Sequence, residues 1–319
     1  MENTKYKLII FIACFFVIAA CQTRRKHKSI PSPKKIASYL KRHPDELDTL
    51  RKRGPAKTYR YRRKVDLTRK ISTNIRVFSP IRPKESLPII ISTASEDLED
   101  EAIEQGRLLA SWGYFVIQTE FASNLSIVKK SHRLTLLLSM IKSWPYVIDL
   151  KLNIKNIVLT AYGREAETVI LAAKKIVTQG IVLQAPIIKG KIALRSIAKV
   201  KSPTIMIRPD PYVTQKKPKS QVFKKYTTEL FETAISGASF ADLQPAGWQP
   251  NSYGGSYQEQ ISQELFMTSI VSLTSGEGFK LSQTYVHGGL ARRRLKNARL
   301  KTKDHAKVHR ASLQPSLEN

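Results

Sequence analysis

Cysteine is nearly absent from this chain: Cys14 and Cys21 are the only two in 319 residues. That excludes a disulfide-stapled scaffold and the paired Cys-x-x-Cys spacing of a zinc site, so any folded part is held by its core alone. A domain of about 200 residues is long enough to bury one substantial core. Acidic residues are also scarce, 25 against 54 Lys and Arg, which leaves a formal net charge of +29. Histidine is sparse, and of His27, His43, His132, His287, His305 and His309 only His132 lies away from the basic ends. No apolar run reaches the roughly 20 residues that a bilayer span requires. There is no internal repeat, no dinucleotide fingerprint and no metal-ligand spacing. The glycine pair in Tyr253-Gly254-Gly255-Ser256 lacks the lysine of a phosphate-cradling loop and reads as a turn.

What is present begins at the N-terminus. Lys5 and Lys7 precede an unbroken apolar run from Leu8 to Ile18, and the small residues Ala19 and Ala20 precede Cys21. A basic end, an apolar core and a small-residue cleavage site make up a secretory signal, expected over residues 1–20. Ile18-Ala19-Ala20-Cys21 resembles the lipobox of bacterial lipoproteins. The resemblance implies that Cys21 is lipidated, becomes the mature N-terminus and anchors an exported protein to the cell envelope. Gln22 resembles the residue found there in lipoproteins sorted to the outer membrane. An uncleaved anchor helix and an ordinary secreted protein are the alternatives.

Charge is concentrated at the two ends. Residues 22–70 hold 18 Lys and Arg against 4 Asp and Glu, and residues 287–319 hold 9 against 2. Runs such as Tyr59-Arg60-Tyr61-Arg62-Arg63-Lys64 and Arg292-Arg293-Arg294 contain few aliphatic residues and no clear period. Residues 21–70 are therefore expected to be a mostly disordered basic tether, and 287–319 a basic disordered tail. Beside a membrane, such segments favour anionic lipid or another polyanionic envelope surface. Tyr59 and Tyr61 among arginines would also suit stacking on bases, but no zinc, homeodomain or RNA-binding signature accompanies them. A solubilising tether without a specific partner is the third reading.

Residues 71–286 alternate between strand and helix patterns. Strands are expected at 75–78, 87–92, 114–118, 156–161, 180–184 and 203–207, and helices at 101–112, 131–144, 165–175 and 258–273. Strands separated by helix-length segments need crossovers, so the expected class is α/β, a mostly parallel sheet flanked by helices on both faces.

Asn156-Ile157-Val158-Leu159-Thr160-Ala161-Tyr162-Gly163-Arg164-Glu165-Ala166 is a buried strand turning into a helix. It resembles the nucleophile elbow of the α/β-hydrolases, and the chain from about 71 to 273 is similar in order to the dienelactone-hydrolase and polyester-hydrolase-like branch. That resemblance implies an α/β-hydrolase-like sheet with an oxyanion loop after 87–92, an acid after 203–207 and a histidine after a strand near 234–240. The motif residues depart from the family pattern. Gly163 stands where the nucleophilic serine belongs, Ala161 and Glu165 where the flanking glycines belong, and Phe240 where the general-base histidine belongs. Thr93 and Ala94 occupy the oxyanion-loop positions, and Asp210 alone matches a triad role.

A glycine has no hydroxyl to activate, and an aspartate with no imidazole to orient performs no acyl transfer. The expectation is a catalytically degenerate hydrolase fold with a binding or scaffolding role and no cofactor. The alternative is an active carboxylic-ester hydrolase whose constellation is displaced. Ser92, Ser95 and Ser239 read as turn hydroxyls, and His132 as a capping or surface residue. The acidic group Glu96, Asp97, Glu99, Asp100, Glu101 and Glu104 reads as charge at a helix start.

Overall fold

A computed structural model describes residues 31–81, 83, 86–95, 99–143, 152–210, 225–226, 228–245, 256–287, 295–301 and 309–311. The signal-like segment 1–20 and Cys21 lie outside them. Among the described residues no helix is long and apolar enough to cross a membrane.

The architecture is α/β. Among the described residues ten strands form one sheet, β1 (Thr58–Thr68), β2 (Ile71–Pro80), β3 (Leu87–Ser95), β4 (Phe115–Phe121), β5 (Leu152–Tyr162), β6 (Gly180–Gln184), β7 (Thr204–Arg208), β8 (Leu230–Ile235), β9 (Leu295–Lys301) and β10 (His309–Ala311). Their spatial order is β1-β2-β4-β3-β5-β6-β7-β8-β9-β10. The six from β4 to β8 run parallel, while β2 is antiparallel to β4 and β9 to β8. The helices are α1 (Pro33–Arg42), α2 (Glu99–Ser111), α3 (Ile127–Lys142), α4 (Glu165–Ala173), α5 (Lys191–Ser196), α6 (Tyr257–Thr274) and α7 (Lys280–His287).

The parallel strands are apolar runs without a polar face because both of their faces are covered. Ile90, Val116, Val158, Val182 and Ile205 point to one side, where α1, α2, α6 and α7 pack. Their neighbours Ile89, Ile91, Ile117, Leu159, Leu183 and Met206 point to the other, against α3 and α4. This period-two division follows from the pleat.

The two basic ends differ from expectation. Residues 33–42 form α1, which buries Ile36, Ala37 and Leu40 against the first face; Leu50, in a 3-10 helix over Pro44–Arg51, joins them. Residues 58–68 form β1, paired with β2 along nearly its whole length. In the expected tail, 295–301 and 309–311 form β9 and β10. A terminal strand that pairs on one edge and buries few side chains needs little apolar content. In β1 only Val65 is fully buried, and a charged outer edge deters pairing with other chains.

Candidate functional site

Strand order fixes where a site would form. From β3 the chain moves outward to β4, then crosses back to β5 on the other side of β3. In an open parallel sheet, ligands settle beyond the carboxyl ends of the strands where the order reverses, here between β3 and β5. Thr93 and Ala161 pair across that point.

The turn leaving β5 is tight. Gly163 has φ +58°, a left-handed conformation that glycine adopts without steric cost. Its N–H donates to the Gln184 carbonyl at 3.0 Å, and its carbonyl accepts the Ile187 N–H at 2.9 Å. A Cβ built at Gly163 would meet nothing within 4 Å, so the position faces open space at the mouth of the crevice. Helix α4 starts at once, and Glu165 and Glu167 in its first turn suit the positive end of the helix dipole.

Both carboxylates at that helix start have protein partners. Glu165 Oε1 accepts from Lys130 Nζ of α3 at 2.6 Å, and Oε2 from the Thr168 hydroxyl at 2.9 Å. Glu167 Oε1 accepts the N–H groups of Lys189 and Gly190 at 2.5 Å each, at the start of α5. Glu165 thus occupies an expected glycine position for a structural reason: it clamps α3 to α4 below the turn. Sequence reading missed this pair, since nothing in the apolar period of α3 marks Lys130 as buried.

Asp210 follows β7 and is buried. Its carboxylate accepts the Gly237 N–H at 2.7 Å, and its own N–H donates to the Ala238 carbonyl at 2.8 Å. Gly237, at φ +75°, turns the chain out of β8 toward it. Phe240, half-buried, packs against the first-face core, and its carbonyl accepts the Tyr162 hydroxyl at 2.9 Å. The ends of β5, β7 and β8 therefore meet on one rim of the sheet. Asp210 ties the last two together, and Tyr162, beside Gly163, ties the first to the loop after β8.

Asp242 sets that loop. Its carboxylate accepts from the Ser239 N–H and hydroxyl at 2.7 Å each and from the Ser256 hydroxyl at 2.5 Å. Burial pushes its pKa up, but these hydrogen bonds outweigh burial and hold it below the ordinary carboxylate value. Ser256 also caps α6 by accepting the Glu259 N–H at 3.1 Å. Burial raises the pKa of the Glu259 carboxyl, and the charge of Asp242 raises it further.

On the β3 side, Thr93 and Ala94 are not in a loop. Both belong to β3, in register with Thr119 and Glu120 of β4, because the ladder runs on through Ser95. The Thr93 hydroxyl donates to the Thr160 carbonyl at 3.2 Å. Thr93 pairs with both β4 and β5 and Ala94 with β4 alone, so these two expected oxyanion-loop positions lie in the last residues of β3 rather than in a loop. Ser92 is buried in the same strand, Ser239 is engaged by Asp242, and His132 is exposed on α3. In the acidic group, Glu104 pairs with Arg53 and Arg107.

No family model matches this chain, and no characterised protein matches it in sequence. Among the described residues no cluster of His, Cys, Asp and Glu is placed to hold a metal ion.

Proposed function

We propose that this chain is a lipoprotein, anchored through lipid on Cys21, whose domain is a catalytically degenerate α/β-hydrolase of the dienelactone-hydrolase and polyester-hydrolase-like kind. Its role is binding or scaffolding at the bacterial cell envelope, on the outer membrane in a Gram-negative host. Its basic ends face anionic lipid or another polyanionic surface rather than nucleic acid.

One observation carries the degenerate reading. A left-handed turn between a central parallel strand and its helix, opening at the switch point of the sheet, is where that family presents a serine hydroxyl. Gly163 takes that conformation with open space above it and no side chain. The other roles point the same way. Asp210 is engaged by the backbone of the loop after β8, and Phe240 offers no base for a proton. The parallel order from β4 to β8 supports the hydrolase-type assignment.

The test is covalent labelling of the purified chain by a fluorophosphonate, beside an active serine hydrolase. The expected result is no labelling. Stoichiometric labelling at any serine would overturn the reading in favour of an ester hydrolase with a displaced constellation. For the anchor, Cys21→Ala is expected to abolish incorporation of labelled palmitate, and unchanged incorporation would remove the lipoprotein assignment.

A further inference from the structure

The run Tyr59–Lys64 is part of the edge strand β1, and with the end of β2 it shapes a cavity that the degenerate triad does not involve. The cavity, of about 180 Å³, lies where the β1–β2 hairpin meets the end of β4 and the first turns of α3. It would hold about six waters at roughly 30 Å³ each. We propose that it is a binding site for a phosphate group.

Three cations line it, Arg62, Lys64 and Arg133, against the single carboxylate of Glu120. Glu120 is already committed, 2.6 Å from Arg62 Nε and 2.9 Å from Arg76 Nη2. The charge of Lys64 and Arg133 is therefore not cancelled within the cavity. Asp66 is next to Lys64 on the same face of β1 but outside the lining, and no ion pair engages Lys64 among the described residues. Arg133 is held in place by one donor, Nη1 to the Ser72 carbonyl at 2.9 Å, which leaves the rest of its fork for another acceptor.

Of the remaining polar lining, Ser72 and Asn74 carry neutral side-chain donors, while the Thr73 hydroxyl donates to the Asn74 carbonyl. A guanidinium fork, an ammonium point charge and neutral donors converging on one small cavity suit an anion with several acceptor oxygens. Three cations against one carboxylate leave a net charge of +2, which matches a phosphate monoester of about −1.5 to −2 better than a singly charged carboxylate. The phosphate has two sources, a soluble phosphate or the headgroup of an anionic lipid. The inference stands on this cavity and does not depend on whether the turn at Gly163 ever held a nucleophile.

The experiment titrates the full chain with inorganic phosphate by calorimetry. A second arm measures its attachment to vesicles containing phosphatidic acid, whose headgroup is a phosphate monoester, with phosphatidylcholine vesicles as reference. Lys64→Gln and Arg133→Gln are each expected to weaken phosphate binding about tenfold, as expected for loss of a charge-assisted contact. Arg60→Gln removes one charge from the same strand outside the cavity and is expected to change binding less than about twofold. Lys64 is exposed, so its variant should keep the wild-type circular dichroism spectrum.

If phosphate competes with vesicles and Lys64→Gln weakens both, the lipid headgroup is the source. If Lys64→Gln weakens phosphate binding and leaves vesicle attachment intact, the source is a soluble phosphate. The proposal is overturned if phosphate shows no saturable binding at millimolar concentration. Equal losses from Arg60→Gln and Lys64→Gln would also overturn it, since they signal diffuse electrostatics.

Discussion

Replacing Lys130 by methionine strands the Glu165 carboxylate between α3 and α4. The Lys130 and Glu165 side chains are each 7 % exposed, and their charged atoms are 2.6 Å apart. At an effective dielectric constant of about 20 the attraction at this distance is about 6 kcal/mol, and desolvation of both ions offsets much of it. The pair as a whole contributes little net stability, whereas removing one partner leaves an uncompensated buried charge. Lys130→Met should therefore cost about 3–5 kcal/mol, a large share of the roughly 5–15 kcal/mol by which domains are stable. In the double variant Lys130→Met, Glu165→Gln, the charge is gone, and the Thr168 hydroxyl can still donate to the amide oxygen. That variant should recover to within about 2 kcal/mol of wild type. The assay is urea unfolding at neutral pH with the slope monitored, and the coupling follows from the double-mutant cycle. A cost below about 1 kcal/mol for Lys130→Met, or simple additivity in the double variant, would refute the clamp. Glu165→Gly should be as damaging as Lys130→Met because it strands the lysine.

Gly163→Ala should fold, because the added methyl meets no neighbour, and should lose about 1–2 kcal/mol for the left-handed backbone. A loss above about 4 kcal/mol in chemical unfolding would mean the position is not open. Asp242, with its pKa depressed in the fold, contributes stability that is present above its unfolded value of about 3.9 and lost as pH falls through the lower folded value. Asp242→Asn should therefore lower stability at neutral pH and lose less on acidification below about pH 4, and parallel pH curves for the two proteins would contradict this. Deleting residues 1–70 removes Ile36, Leu40 and Leu50 from the first-face core and exposes the edge of β2. Thermal unfolding should show a large drop in Tm or aggregation, and an unchanged Tm would refute a structural role for α1 and β1.

The parallel core was legible in the sequence because those strands are short, continuous apolar runs bounded by turn residues. β6 (Gly180–Gln184) coincides with its expected span, and α6 (Tyr257–Thr274) extends the expected 258–273 by one residue at each end. α1 was not legible, since Ile36, Ala37 and Leu40 lie among Lys34, Lys35, Lys41 and Arg42, and composition outweighs spacing there. β1 buries Val65 alone, so no apolar alternation marks it. The glycine turn after β5 could be read because a buried strand, Gly163 and a helix start follow one another directly. The end of β3 could not, because Thr93, Ala94 and Ser95 suit a loop and a strand equally, and pairing with β4, joined at Thr93 by pairing with β5, keeps them in the sheet. The contacts that organise the rim link residues far apart in the chain, Lys130 with Glu165, Asp210 with Gly237 and Tyr162 with Phe240, and no local pattern announces them.

If the rim of this sheet performs no acyl transfer, steady-state turnover of short acyl esters by the purified wild-type chain will equal the rate in buffer alone. The rate should be unchanged in Gly163→Ser, since Phe240 cannot take the proton of a new hydroxyl. Steady hydrolysis by the wild type that disappears in one of Ser92→Ala, Ser95→Ala or Ser239→Ala would contradict it.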